Sequence, residues 1–186
     1  LIYLNQIACI ASLVKQIQGH AVDRFGGIIF TRTDRTDIND LNDISGQSFR
    51  AVKKGSLGGF ASAWATFLKA DIDLFEVASS VTFSGMPHDL VVIEVLEGRA
   101  DIGTVRTGVL EQMATEGKIQ LSDLKVLHQQ EAKGFPLPHS TALFPEWPIS
   151  RLKHTDRTLA KKTAAALLNM LPSEPALKAG GYAGWN

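Results

Sequence analysis

Three short stretches combine glycine, small hydroxyls and a cation or histidine: Lys53-Lys54-Gly55-Ser56-Leu57-Gly58-Gly59, Ser84-Gly85-Met86-Pro87-His88-Asp89 and Thr104-Val105-Arg106-Thr107-Gly108. The first turn of a helix carries N–H groups with no internal acceptor and the positive end of the helix dipole. Glycines there let an anion reach the bare main chain. Ser56, Thr104 and Thr107 add hydroxyl donors, and Arg106 offers a planar charged fork suited to oxyanions. Charge-assisted hydrogen bonds contribute on the order of 1.5 to 3 kcal/mol each, and a helix terminus adds about 0.3 to 1 kcal/mol. Four or five such contacts, after the ordering cost, reach the roughly 8 kcal/mol of micromolar binding. The plain alternative for each turn is a helix cap. His88 also fits a locally hydrogen-bonded histidine, and Arg106 also fits an ion pair with Glu111 or Asp101.

Other chemistries lack their residues. There is no G-x-S-x-G elbow, no G-x-x-x-x-G-K-[ST] phosphate loop and no G-x-G-x-x-G fingerprint. The five histidines show no i, i+4 pair and no cysteine at zinc spacing, so no metal site or cofactor is expected. Ser56 has no neighbouring base, so no catalytic residue is assigned. Asp71 and Asp73 read as solvated turn residues.

The elements that position these turns alternate between β-branched runs and helical patterns, as in an α/β sheet with crossover helices. Strands are expected near 27–31, 49–52, 81–83, 101–105, 124–128 and 141–143. Phe60, Trp64, Phe67 and Leu68 form one helical stripe opened by Gly58 and Gly59. The run 88–97 is apolar over most of its circumference and stops at Gly98. A third helix starts near Thr155 as N-cap, carries Leu159, Ala166, Leu167, Met170 and Leu171, and ends at Pro172. Trp147 and Trp185 read as packing residues among turns. In open α/β sheets, ligands collect beside the carboxyl ends of strands, where all three glycine-rich turns lie.

The chain has 186 residues, 19 Lys and Arg against 19 Asp and Glu, and one cysteine. A chain of this length buries roughly 70% of its extended surface and needs no staple. Cys9 alone forms no internal disulfide. Zero net charge excludes the chain-wide basic footprint of a nucleic-acid or membrane-surface binder, while a local basic site stays open. No apolar run approaches the roughly 20 residues that span a bilayer. With no initiator Met and no leader pattern, the sequence is expected to start inside a longer or processed chain.

The segments Phe25-Gly26-Gly27-Ile28-Ile29-Phe30-Thr31-Arg32, Leu41-Asn42-Asp43-Ile44-Ser45-Gly46 and 51–60 resemble the phosphate/phosphite/phosphonate-type periplasmic binding proteins. His88-Asp89, the stretch 98–107 with its T-V-R-T, Leu110-Glu111-Gln112-Met113-Ala114 and Phe144-Pro145-Glu146-Trp147-Pro148 are similar to the branch that forms sensor domains of two-component histidine kinases, including tetrathionate-type sensors. The similarity runs from about residue 10 to residue 185. T-V-R-T and P-E-W-P are its specific parts, and Met86-Pro87 departs from the shorter polar turn of relatives.

The resemblance implies an α/β, type II periplasmic-binding-protein-like fold: two lobes with a two-strand hinge around an interlobe cleft. The first lobe, residues 1–33 and 129–186, is expected to be incomplete at its N-terminus, because relatives begin with β-α-β units absent here. Residues 34–128 form the inserted second lobe. The implied ligand-binding residues are Ser56, Leu57, Gly58, His88, Thr104, Arg106 and Thr107, and Tyr3 matches a ligand-facing aromatic. The implied role is a periplasmic ligand-binding sensor domain for a small anionic ligand, part of an inner-membrane protein whose membrane-anchored kinase portion lies in the same polypeptide. It implies neither an enzyme nor a nucleic-acid partner. The alternatives are a solute-binding protein of a phosphonate-type ABC transporter and a LysR-type effector domain, which shares the fold.

Overall fold

The computed structural model describes residues 7–186; Tyr3 lies outside the described residues. The chain divides into two compact units, unit 1 from 1–24 and 144–186 and unit 2 from 25–143. Two short extended segments, β3 (Arg24–Phe25) and β9 (Phe144–Pro145), mark the two crossings. The crossings therefore fall at 24/25 and 143/144, where the sequence reading drew them at 33/34 and 128/129. The reason is that β4 (Gly27–Arg32) is an inner strand of the unit 2 sheet, bonded on both edges.

In unit 1 the strand β1 (Ala8–Ile17) turns into β2 (His20–Val22) through Gln18 and Gly19, both at positive φ (46° and 82°). Two such residues match the twist of a tight hairpin. β1 also pairs antiparallel with β10 (Pro148–Arg151) and β11 (Tyr182–Trp185).

Unit 2 is built on a five-stranded mixed sheet of β4, β5 (Ser48–Ala51), β6 (Ser80–Phe83), β7 (Ile102–Arg106) and β8 (Leu124–Leu127), in the order β6-β5-β7-β4-β8. β5 runs parallel to β6 and β7, so these three strands end at one edge. Their side chains alternate between two cores. Ile29, Phe49, Ala51 and Ile102 meet Phe60, Ala63 and Phe67 on one face. Ile28, Phe30 and Val105 meet Val91, Val92, Val95, Leu110 and Met113 on the other. Phe49 and Phe67 pack edge to face at 5.6 Å.

The helices follow the strand exits. A wide π-type turn, Leu57–Ala61, runs into α1 (Ser62–Lys69). α2 (Leu74–Val77) is capped at its start by Asp73, whose side chain accepts the Phe75 N–H, so Asp73 opens a helix rather than sitting in a bare turn. α3 (Asp89–Leu96) follows β6, and α4 (Val109–Thr115) follows β7 after the left-handed Gly108. In unit 1, α5 (Arg157–Leu168) is capped by Asp156, which accepts the Leu159 N–H at 2.8 Å; Thr155 instead accepts the Leu152 N–H. α6 (Pro175–Gly180) ends at Gly181.

Three further expectations are corrected. Residues 141–143 form no strand: the Thr141 hydroxyl accepts the Gly27 N–H and the preceding Ser140 amide donates to the Gly27 carbonyl, so the segment is tied by one side-chain bond and one main-chain bond rather than by a ladder. Trp147, read as a packing residue, is 57% exposed. The apolar side chains of α5 are largely exposed, with Ala160 its buried residue. Among the described residues no helix is long and apolar enough to cross a membrane.

Candidate functional site

The exits of β5, β6 and β7 are stitched together by main-chain bonds. Ser84 N donates to Ala51 O at 2.9 Å and Gly85 N to Val52 O at 2.8 Å, carrying the turn after β6 along the exit of β5. Val52 N donates to Gly59 O at 3.2 Å, fixing the π-type turn on the same exit. The Thr107 amide donates to Gly26 O at 3.0 Å, and the Thr107 hydroxyl accepts the Gly26 N–H at 3.1 Å. That reciprocal pair pins the end of β7 to the start of β4.

Ser56 is the N-cap of the π-type turn, its hydroxyl oxygen accepting the Gly59 N–H at 3.2 Å. Its own amide donates to Lys53 O at 2.9 Å, so the donor that Ser56 has to offer is its hydroxyl. The amides of Leu57 and Gly58, by contrast, have no acceptor among the described residues, as the opening of a helix dictates.

Gly58 is required by close approach. A Cβ there would lie 3.1 Å from Arg106 Cβ and Cγ and 3.1 Å from the Gly26 carbonyl oxygen. At Gly59 a Cβ would lie 2.7 Å from Ser56 Oγ, 2.8 Å from Val52 Cγ2 and 2.9 Å from His88 Cε1. These tight distances show that Gly58 touches Arg106 and Gly59 touches His88, so all three turns converge.

His88 does not cap its own helix. Its Nδ1 accepts the Arg106 N–H at 3.2 Å, which fixes the neutral tautomer with the proton on Nε2. Partial burial, reinforced by the Arg106 charge, lowers its pKa below the ordinary 6.5, so Nε2–H is a neutral donor at physiological pH.

The Arg106 guanidinium lies over the Phe25 ring, 4.3 Å from its centroid. The stacking sets the plane of the guanidinium. Of the two carboxylates considered as its partners, Asp101 is engaged at the other end of the sheet by Arg35 and by the Ser48 amide and hydroxyl at 2.8 and 2.6 Å. Glu111 is buried beside the first amides of α4; burial pushes its carboxyl up, and the Gly108 and Glu111 amides oppose this. Phe25 was not singled out in the sequence; an aromatic directly before the glycine pair that opens β4 is the signal that marks it.

The threonines are placed differently. Thr104 is fully buried, and its hydroxyl has no hydrogen-bond partner among the described residues. Thr107 is 4% exposed with its hydroxyl committed to Gly26. The structure therefore gathers Leu57, Gly58, His88 and Arg106 at one sheet edge, with Ser56 and Thr107 shaping it from beneath. Such an edge offers two bare amides, a neutral N–H and a fixed cation, a donor set for a small oxyanion. Among the described residues, no group of His, Cys, Asp and Glu is arranged to hold a metal ion.

A family model described as the periplasmic substrate-binding protein of a phosphonate ABC transporter matches residues 5–186. The tetrathionate sensor histidine kinase TtrS of Salmonella typhimurium is 29% identical over 163 residues, covering 86% of this chain and 27% of that protein. Among solved structures, the Xanthomonas citri protein XAC2383 bound to ATP superposes with a TM-score of 0.71 at 16% identity, over 97% of this chain and 64% of that one. PhnD1 of Prochlorococcus marinus in complex with methylphosphonate gives 0.64 at 13% identity, over 95% and 65%. The chain thus spans under two thirds of XAC2383 and about a quarter of the sensor kinase. These structures share the type II periplasmic-binding fold.

Proposed function

Since the chain belongs to the phosphonate-type family of periplasmic substrate-binding proteins, which are binding modules and not enzymes, we propose that it is the ligand-binding sensor domain of a two-component histidine kinase and holds a small oxyanion at the edge formed by Leu57, Gly58, His88 and Arg106. Ser56 and Thr107 hold that edge in shape, and Thr104 is buried in β7 two residues before Arg106. The observation that carries the reading is the close approach of Gly58, which with Leu57 has an amide lacking an acceptor, to the Arg106 stem, beside a histidine whose tautomer leaves Nε2–H as donor. Phosphonate, phosphite and tetrathionate all present oxygens that accept from such donors. A family of extracytoplasmic proteins and a sensor-kinase relative matched over most of this chain support a periplasmic domain attached to the inner membrane. Differential affinity for the anion among conformers would bias the kinase portion.

A second reading, the solute-binding component of a phosphonate transporter, is favoured by the family's own description. The coding sequence separates the two. Continuation into a kinase supports the sensor, whereas a short end beside a permease gene supports the transporter. For the binding itself, thermal unfolding with methylphosphonate, phosphite and tetrathionate should show one anion raising the midpoint by mass action. If none of them moves it, the oxyanion reading fails.

A further inference from the structure

The zero net charge of the chain averages two unlike units. Unit 1 carries eight Lys and Arg against four Asp and Glu, and unit 2 carries eleven against fifteen. Part of the unit 1 excess is concentrated around one depression of about 360 Å³ lined by Ile10 of β1, Arg151 of β10, and Arg157, Ala160, Lys161 and Ala164 of α5. Its lining holds three cations and no carboxylate, and none of the three has an ion pair or hydrogen-bonded side-chain partner among the described residues. The nearest acid in sequence, Asp156, is spent on the cap of α5.

Beyond the depression the same helix carries the pattern on. Arg157, Lys161, Ala164 and Leu168 fall at i, i+4, i+7 and i+11, one stripe of a helix. The stripe is cationic in its first two turns and apolar beyond them, and Leu168 and the following Leu171 are 50% and 62% exposed. A small hydrated anion would need only the cationic end. An amphiphile with an anionic head and an acyl chain matches both ends in order.

We propose that this stripe docks unit 1 on an anionic phospholipid surface, the headgroup phosphates meeting Arg151, Arg157 and Lys161 and the acyl boundary meeting Ala164, Leu168 and Leu171. The match of an unpaired cationic patch to lipid phosphate supplies the charge complementarity, and the exposed leucines supply the apolar burial that interfacial helices use. This assignment is independent of the oxyanion edge, which lies in unit 2.

The test is co-sedimentation of the 186-residue chain with vesicles of phosphatidylglycerol and phosphatidylcholine, against vesicles of phosphatidylcholine alone. Binding is expected on the anionic vesicles only and should weaken as salt rises. Each cation near such a surface contributes about fivefold, so R151A/R157A/K161A should lower the partition coefficient roughly a hundredfold. Leu168→Ser should lower it with the charges intact. Equal binding to neutral vesicles, or an unchanged partition of the triple variant, overturns the assignment. So does protection of the depression by inorganic phosphate without vesicle binding, or self-association in vesicle-free solution that the triple variant abolishes. The substituted cations are half-buried or exposed, with no side-chain partner among the described residues, and circular dichroism of the variants should match that of the parent chain.

Discussion

Arg106 and His88 act as a pair at the residue scale. The histidine accepts the arginine amide, and the arginine charge helps keep the histidine neutral. Arg106→Ala removes the only cation assigned to the oxyanion edge. With a charge-assisted bond contributing about 1.5 to 3 kcal/mol, affinity for the responsive anion should drop at least about tenfold in calorimetry. Arg106→Lys keeps the charge but loses the plane stacked on Phe25, and should fall between.

His88 gives a pH signature. Its pKa is lower in the folded than in the unfolded chain, so on acidification the unfolded state takes up the proton first. The stabilisation from neutral His88 is complete above the unfolded value near 6.5 and is lost as pH falls below it toward the folded value. Thermal midpoints across this window should decline toward acid in the parent chain, and less steeply in His88→Ala. Identical slopes would contradict the neutral, Nδ1-accepting histidine.

At the scale of elements, the edge depends on how the π-type turn seats against β5 and β7. Gly59→Ala forces a methyl into Ser56 Oγ, Val52 and His88, all under 3.0 Å. Overpacking of this kind costs about 1 to 3 kcal/mol, so the urea midpoint should fall and anion affinity should fall with it, because His88 is displaced. Ser56→Ala removes the cap alone, a loss of about 1 kcal/mol. Thr107→Val strands the buried Gly26 N–H, which costs about 1 to 3 kcal/mol. If Gly59→Ala bound anion as the parent does, the turn would not be the seat of the site.

These elements were unevenly legible in the sequence. β4 through β8 were placed nearly at their true bounds, because an inner sheet covered on both faces demands runs such as Ile28-Ile29-Phe30 and Ile102-Gly103-Thr104-Val105. The unit 1 strands were missed. β10 opens on Pro148, β11 contains Gly184, and β1 mixes half-buried polar and apolar side chains, so none carries a clear period. The glycine-rich turns were legible as anion seats, because the bare amides follow from helix geometry. What no local pattern encodes is the long-range contact. The seating of Gly58 on Arg106, the Nδ1 bond of His88 and the stacking of Phe25 link residues 18 to 81 positions apart in the chain. For the same reason the burial of Thr104 and the Gly26 bond of Thr107 could not be read from T-V-R-T.

At the scale of the whole molecule, the two units divide the charge and, in this account, the work. Unit 2 presents a small-anion edge built from main-chain donors, and unit 1 presents an amphiphilic stripe. The two properties are separable by variant, since R151A/R157A/K161A should leave anion affinity untouched while Arg106→Ala should leave vesicle binding untouched. A variant of either kind that altered both would show that the two units do not act independently.

The central claim is that the first-turn amides themselves hold the oxyanion, and amide-resolved nuclear magnetic resonance reads them directly. In a titration of the ¹⁵N-labelled chain with the anion that raises the unfolding midpoint, the Leu57 and Gly58 amide protons should move downfield in a saturable way, and the Arg106→Ala variant should require at least about tenfold more anion. Saturable binding that leaves Leu57 and Gly58 unmoved while shifting amides elsewhere would contradict the account.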